Sequence, residues 1–391
     1  MAKRIAVPFK DTKLRIIGPT GAFWARRVQR LDMPANLPNT VINELGNAQH
    51  AGTVTDVPEV TATFNAFDAT HEIYSYLTGT AVNAFPASGV DVSNLKCIDL
   101  GLYVREENVA ENLKCIHMKK MQITGFTWTY STDGESSEEY TAGGSEKRYL
   151  KYDLVVDTFT AGLAAPALTQ TPIQLKNTNY LISVIRDGVY LEEGTDYTFV
   201  APTTLTVTAG YSNLVVVYHA NASAAYAYLT GASLSPYPAA IRGKNVPVII
   251  DVETQLRVQS VSIRGEFPNT RITEMGNVNA VGYVVDPPNI TGDISFLGTD
   301  LEVVALLAQG TKTGGTEVEF LPSEYEERKL PLKIQLKNPE DNVTIFKTIK
   351  IPYLRITSDG TTSNVGDRLT QTFAFMSDTG ECYVYSGVGN S

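Results

Sequence analysis

The sequence predicts a mainly β fold: β-sandwich or barrel domains, each with a short flanking α-helix, in two copies around a small antiparallel sandwich. Three observations predict it. The stretch that begins at Arg27 returns beginning at Arg257. Alternating apolar and polar runs dominate over helical patterns. A central stretch holds several short strands separated by turn signals. The chain has 391 residues, which at ~150 residues per domain suggests two or three domains.

The repeat fixes the organisation. Residues 27–77 align with residues 257–307 without a gap. Arg27-Val28-Gln29 returns as Arg257-Val258-Gln259, and Pro38-Asn39-Thr40 as Pro268-Asn269-Thr270. Ile42, Glu44 and Gly46-Asn47 return as Ile272, Glu274 and Gly276-Asn277. Gly52, Val54, Asp56 and Pro58 return as Gly282, Val284, Asp286 and Pro288. Roughly 17 identities in 51 positions exceed chance for an ungapped window. Further on, Ile116 to Thr124 resembles Ile349 to Thr357, at a slightly wider spacing, as loop insertions produce. Both segments alternate and read as half-buried strands. Tyr149-Leu150-Lys151-Tyr152 is set against Cys382-Tyr383-Val384-Tyr385.

Within each copy a strand, Val60 to Phe67 or Ile290 to Leu297, precedes a helical stretch, Ala69 to Leu77 or Asp300 to Leu307. Asp68 or Thr70, and Thr299 or Asp300, suit the N-caps. Each copy is thus a sheet with one helix laid on it. Between the copies, Tyr180 to Ile185 runs into the turn Asp187-Gly188 and the short strand Val189-Tyr190-Leu191. Asp196 to Phe199, Leu205 to Thr208 and Leu214 to Tyr218 complete a small antiparallel sandwich. Small-residue linkers at 161–166 and 221–225 bound it. The domains are therefore expected at 1–157, 158–228 and 229–391.

Composition narrows the function. Hydrophobic residues make up 43% and charged residues 19%, which excludes a disordered chain or a fibre. The net charge of −10 argues against a protein that holds nucleic acid, since phosphate affinity comes from clustered Lys and Arg. The start, Met1 to Pro8, lacks the apolar core of a signal peptide. The longest aliphatic run, Val303 to Ala308, is far short of the ~20 residues that span a bilayer, so no membrane partner is expected. Cys97, Cys115 and Cys382 form no CxxC pair and read as reduced thiols.

No residue set points to catalysis, a cofactor or a metal. Glu44 and Glu274 with Asp56 and Asp286 invite an acid–base reading, but a general acid needs a pocket and a second polar group. Gly18-Pro19-Thr20-Gly21 lacks the Lys-Ser/Thr of a phosphate loop. His50, His71, His117 and His219 have no metal-site spacing. Phe126, Trp128 and Tyr130 at period two read as strand core or an interface face rather than a base-stacking platform. The acidic tract Ser131 to Glu146 reads as a solvated hairpin or loop tip. The loops 30–58 and 260–288 hold most of the repeat identities and little alternation, so they are the candidate assembly loops. Their residues are Pro38, Asn39, Thr40, Glu44, Gly46, Asn47 and Asp56, with Pro268, Asn269, Thr270, Glu274, Gly276, Asn277 and Asp286.

A duplicated domain without chemistry is a building block, and one segment suggests of what. The run Pro38-Asn39-Thr40…Glu44-Leu45-Gly46-Asn47…Asp56-Val57-Pro58-Glu59-Val60-Thr61, followed by a strand and a short helix, resembles the tail tube proteins of long-tailed bacteriophages. Asp187-Gly188-Val189-Tyr190-Leu191…Gly194-Thr195-Asp196-Tyr197-Thr198 resembles the immunoglobulin-like modules that decorate phage virion proteins. The resemblance implies a virion structural protein, assembled in the host bacterial cytoplasm. Its domains would form rings of six, here a homotrimer of two-domain chains, stacked into a tail tube that conducts DNA. Its partners would be itself, terminator, baseplate or sheath proteins, and the tape-measure protein and DNA passing transiently through the lumen. At ~4.8 Å per strand, about 24 strands tilted near 40° would leave a bore somewhat under ~40 Å. The alternatives are a single-layer baseplate or terminator ring, and a carbohydrate-binding virion surface protein using Tyr190, Tyr197 and Tyr211.

Overall fold

The computed structural model describes residues 12–42, 52–55, 58–67, 70–80, 85–105, 113–132, 134, 136–160, 165–176, 179–221, 241–251, 253–255, 257–272, 275, 282–298, 304–307, 330–362 and 369–388. Strands make up 62% and helices 6% of the described residues, so the fold class is mainly β. The chain begins with β1 (Thr12–Gly18), β2 (Gly21–Trp24), β3 (Val28–Asp32), β4 (Ala35–Asn36), β5 (Asn39–Ile42), β6 (Gly52–Thr55) and β7 (Glu59–Ala66). Helix α1 (Glu72–Thr78) follows, then β8 (Val90–Asp91), β9 (Ile98–Arg105), β10 (Leu113–Ser131), β11 (Ser137–Gly144) and β12 (Glu146–Leu150). The middle segment holds β13 (Asp153–Thr160), β14 (Leu181–Arg186), β15 (Val189–Tyr190), β16 (Tyr197–Val200), β17 (Thr204–Val207) and β18 (Asn213–Ala220). The last part holds β19 (Val248–Ile250), β20 (Glu253–Thr254), β21 (Val258–Glu266), β22 (Asn269–Ile272), β23 (Gly282–Val285) and β24 (Asn289–Leu297). It ends with β25 (Leu330–Lys337), β26 (Ile345–Thr362), β27 (Thr370–Ser377) and β28 (Tyr383–Ser386).

Strand pairings return along the chain with their irregularities. The hairpin β5–β6 pairs Asn39 with Thr55, and β22–β23 pairs the matching residues Asn269 and Val285, so the register is the same. β3 pairs with β7 with a bulge between Val28 and Arg30; β21 pairs with β24 with a bulge between Val258 and Ser260. Irregularities between Met118 and Met121, and between Ile123 and Gly125, recur between Ile351 and Leu354 and between Ile356 and Ser358. Arg27 and Arg257, just before each bulge, both hold positive φ, 51° and 65°. A bulge inserts one residue and bends a strand, so its recurrence places the same bend at the same depth of both sheets.

These residues become strands for visible reasons. In β7 (Glu-Val-Thr-Ala-Thr-Phe-Asn-Ala) every second side chain is buried, and β11, β24 and β27 do the same. Period-two alternation is what a sheet with one covered face requires. The covered faces meet in one core that runs through both parts of the chain and includes Phe64, Trp128, Ile263, Ile294, Phe373 and Val384. Helix α1 closes it on one side, burying Ile73, Tyr74 and Leu77. Tyr76 stacks on Phe23 at 5.2 Å and Tyr74 meets Trp128 edge-on at 6.3 Å. Residues 304–307 are helical and buried as well. Among the described residues no helix is long and apolar enough to cross a membrane.

The middle segment is a four-stranded sheet, β13-β18-β14-β15, with the hairpin β16–β17 beside it. Strands β14 and β18 are nearly continuous apolar runs because both faces of that sheet are covered. One face packs Val184, Val216 and Tyr218 against Tyr197, Leu205 and Tyr211. The other packs Leu154, Ile182, Ile185, Val215 and Val217 against Ile17, Tyr103 and Cys115 of the first part.

Several expectations are corrected here. The expected boundary at 157/158 falls inside β13, which pairs along its length with β18. The tract Ser131 to Glu146 does belong to a hairpin, β10–β11, but that hairpin is not solvated throughout: Glu138 of β11 is 1% exposed. The stretches 30–58 and 260–288, expected as loops, hold strands in their described residues: β3 to β6 in the first, and most of β21 with β22 and β23 in the second, because Asn39–Ile42 and Asn269–Ile272 each pair with a second short strand. His71, not Asp68 or Thr70, is the N-cap residue of α1, although Thr70 Oγ1 accepts the Glu72 amide at 3.4 Å. Asp68, Thr299 and Asp300 lie outside the described residues.

Candidate functional site

The candidate site is a sheet face rather than a pocket. It exists because β10 and β26, with 19 and 18 residues, each serve two sheets, well beyond the usual ~5–6 residues. The first half of β10 pairs with β9 and β12. After its bulge it pairs with β11 on one side and β21 on the other. β26 likewise pairs with β25 and β28 and then, past its bulge, with β27.

The β10–β21 contact joins the two parts of the chain edge to edge. Phe126 lies opposite Gly265, Trp128 opposite Ile263 and Tyr130 opposite Val261. Gly265 is needed there: a Cβ would stand 2.2 Å from the Phe126 ring. The resulting sheet runs, strand by strand, from β3 and β4 through β7, β11, β10, β21, β24 and β27 to the end of β26. Its inner side is the apolar core. Its outer side is polar, and one row of neighbours crosses it as Asn65, Glu139, Thr127, Arg264, Thr291 and Met376. Hydroxyls dominate this face: Thr61, Thr63, Thr129, Ser260, Ser262, Ser295 and Thr372 all lie on it. Its charges are Asp32, Glu59, Glu139, Glu266 and Asp293 against Arg30, Arg264 and Arg355, an acidic majority.

Under the face, a buried ion pair ties the two parts together. Lys347 Nζ of β26 donates to Glu138 Oε1 of β11, both about 1% exposed. Glu138 also accepts from Tyr130 (3.0 Å) and Tyr140 (2.8 Å). Lys347 lies 5.2 Å over the Trp128 ring. Burial, with the Glu138 charge beside them, pushes both phenols well above their usual value, so they remain donors.

A second buried hub fixes the middle segment. Asp99 of β9 accepts from His117 Nε2 (3.1 Å), Ser183 Oγ (2.6 Å), Tyr190 OH (2.7 Å) and the Lys120 amide (2.8 Å). Burial alone raises its pKa; the His117, Ser183 and Lys120 contacts outweigh burial and hold the carboxyl below the usual value. This Ser, His and Asp set is not arranged for nucleophilic catalysis. The serine hydroxyl donates to the carboxylate, whereas an activated serine donates to the imidazole. Among the described residues no group of three or more His, Cys, Asp or Glu is placed to hold a metal ion. The tyrosines considered for carbohydrate contact are largely interior: Tyr197 and Tyr211 belong to the module core, and Tyr190 is committed to Asp99.

The described candidate assembly residues lie in or beside the paired strands β5–β6 and β22–β23. Asn39 is exposed and its side chain donates to the Leu37 carbonyl (3.1 Å); Asn269 donates to the Phe267 carbonyl (3.4 Å). Pro38 precedes β5, Thr40 pairs with Val54, and Thr270 pairs with Val284. Pro268 is exposed and its carbonyl accepts the Asp286 amide at 3.0 Å. Glu44, Gly46, Asn47, Asp56, Glu274, Gly276 and Asn277 lie outside the described residues. Sequence reasoning missed the β10–β21 joint, the Glu138–Lys347 pair and the Asp99 hub. The length of β10 and β26 was the available signal for the first. The others join side chains far apart in the chain and leave no local trace. No family model matches the chain, and no curated protein matches it.

Proposed function

We propose that the chain is the tube-forming structural protein of a long-tailed bacteriophage, a tandem duplication of one tube domain with an immunoglobulin-like module between the copies. Three chains would close a pseudo-sixfold ring, and rings would stack into a conduit for DNA. The reading rests on one observation above all: the two parts of the chain meet strand to strand in one sheet, and that sheet ends at both sides on strands paired along one edge only, among the described residues. A unit that joins its own like by this contact has the means to add further units head to tail, and such contacts generate rings when the rotation closes.

The polar face supports the conduit. In a closed ring it becomes the lining of the bore. Its Ser and Thr hydroxyls are neutral, and its acidic majority repels phosphate instead of collecting it through counterion release. No enzymatic activity and no cofactor belong to the proposal.

Electron microscopy of the purified full chain tests it. Stacked hollow tubes with three chains per ring, counted by native mass spectrometry, are the expected result. A monomer at every concentration would sink the reading. Rings that never stack would instead favour a single-layer terminator or baseplate component.

A further inference from the structure

The internal joint specifies how two copies of the chain meet. Past the shared bulge, Gly125 to Thr129 of β10 correspond to Ser358 to Thr362 of β26, in the alignment that sets Ile116 against Ile349. Ser262 to Glu266 of β21 correspond to Asp32 to Asn36, in the alignment that sets Arg257 against Arg27. The β10 segment is paired on both sides, whereas residues 358–362 of β26 pair with β27 only, among the described residues, and are all exposed. β21 is paired on both sides, whereas β3 and β4 pair with β7 only, among the described residues.

Two exposed apolar side chains mark the same difference. Phe267 is 3% exposed because it lies against Phe126 (5.8 Å) at the internal joint; its counterpart Leu37, beside the open edge, is 58% exposed. Val384 is fully buried in the core, and β8, from the first part of the chain, pairs along its strand β28. The strand registers set Val384 against Tyr149 of β12, two residues on from the sequence alignment, which sets Cys382 there; among the described residues β12 pairs with β10 only, and Tyr149 is 74% exposed at the rim of a cleft of about 570 Å³. Each counterpart is exposed, whereas its twin is buried on a strand that pairs with the other part of the chain or beside one.

We infer that the partner for these edges is a second copy of the chain, docked in the register of the internal joint. Thr362 of one copy lies opposite Asp32 of the next, Thr361 opposite Met33, Asp359 opposite Ala35 and Ser358 opposite Asn36. Leu37 is covered in that contact, and a short strand from the neighbouring copy covers β12 and Tyr149. Hydrogen bonds along the edge fix direction, and the two apolar contacts add buried area, which unpaired edges otherwise expose to indiscriminate pairing. The inference rests on the ring reading above and adds the residues that make the contact.

Four cysteine substitutions in the full chain test it in matched and mismatched combinations. Asp32→Cys with Thr362→Cys, and Asn36→Cys with Ser358→Cys, should form disulfides between chains and yield covalent trimers on non-reducing gels. Asp32→Cys with Ser358→Cys, and Asn36→Cys with Thr362→Cys, place the thiols about 13 Å apart along the strand, beyond disulfide reach, and should yield none. Leu37→Asp and Tyr149→Asp, exposed in the single chain, should leave its melting temperature unchanged and abolish the trimer in gel filtration. Tubes that form while the mismatched pairs cross-link, or while neither set does, overturn this register and leave the tube reading standing. A chain that forms no ring under any condition overturns both.

Discussion

At the residue scale, the two buried carboxylates carry the sharpest predictions. Glu138 receives one ammonium and two phenols in the core. Lys347→Met strips the charge partner from a buried carboxylate, so a loss of about 3–5 kcal/mol is expected. Adding Glu138→Gln should restore most of it, because a neutral amide needs no charge partner: its oxygen still accepts one phenol hydrogen and its NH2 donates to the other phenol oxygen. Chemical denaturation of the single and double variants, read as a double-mutant cycle, measures the coupling. Asp99 holds the middle segment to β9 through a depressed pKa. The sign follows: its contribution is fully present above the unfolded value near ~3.9 and is lost as pH falls through the lower folded value. Asp99→Asn should cost about 2 kcal/mol at neutral pH, the scale of a hydrogen bond to a charged group. Hydrogen exchange of β14 followed from pH 7 downward should show loosening in the parent chain below that window and a flat response in the variant.

At the element scale, the hairpins and the long strands separate what was legible from what was not. The repeat identities around Pro38-Asn39-Thr40 and Pro268-Asn269-Thr270 located both hairpins, because a shared backbone shape keeps its turn-forming and strand-starting residues. Their strand character was hidden: four-residue strands such as Asn-Thr-Val-Ile are too short for a period to register. The apolar side chains Val41, Ile272 and Val284 are exposed on them, which suits contact between stacked rings. Deleting residues 41–52 removes the end of β5, the start of β6 and the segment between them, and takes out none of the described core residues. Soluble rings that no longer elongate, seen by negative-stain microscopy, are the expected outcome; tubes of normal length would show that stacking lies elsewhere. The module strands β14 and β18 were readable as apolar runs, and Asp187 (φ 48°) with Gly188 (φ 88°) make the expected turn. That both faces of this sheet are covered was not readable, since the second cover comes from β1, β9, β10 and β12.

At the scale of the whole molecule, the prediction concerns charge. The net charge of −10 says nothing by itself of where the acids lie. The strand registers gather Asp32, Glu59, Glu139, Glu266 and Asp293 on the polar face. Assembled tubes should retain no DNA in a filter assay from low to physiological salt. Changing Glu139, Glu266 and Asp293 to lysine should create salt-sensitive retention, with log K falling against log salt by about 0.9 per phosphate neutralised. Equal retention by the parent tubes would count against an inward position for this face.

The sequence by itself determined the β class, the return at Arg257 of the segment that starts at Arg27, the short helix after the first repeated strand and the turn of the middle segment. These are local or periodic properties: alternation, turn residues and spacing survive in one dimension. Only the tertiary structure decided that Glu138 is interior and paired with Lys347, that Asp99 clamps the module, and that β10 lies along β21. Each depends on which strands become neighbours, and strand pairing is a long-range choice made by covering apolar faces. The same choice leaves β3, β4, β12 and the end of β26 with an edge to spare, among the described residues.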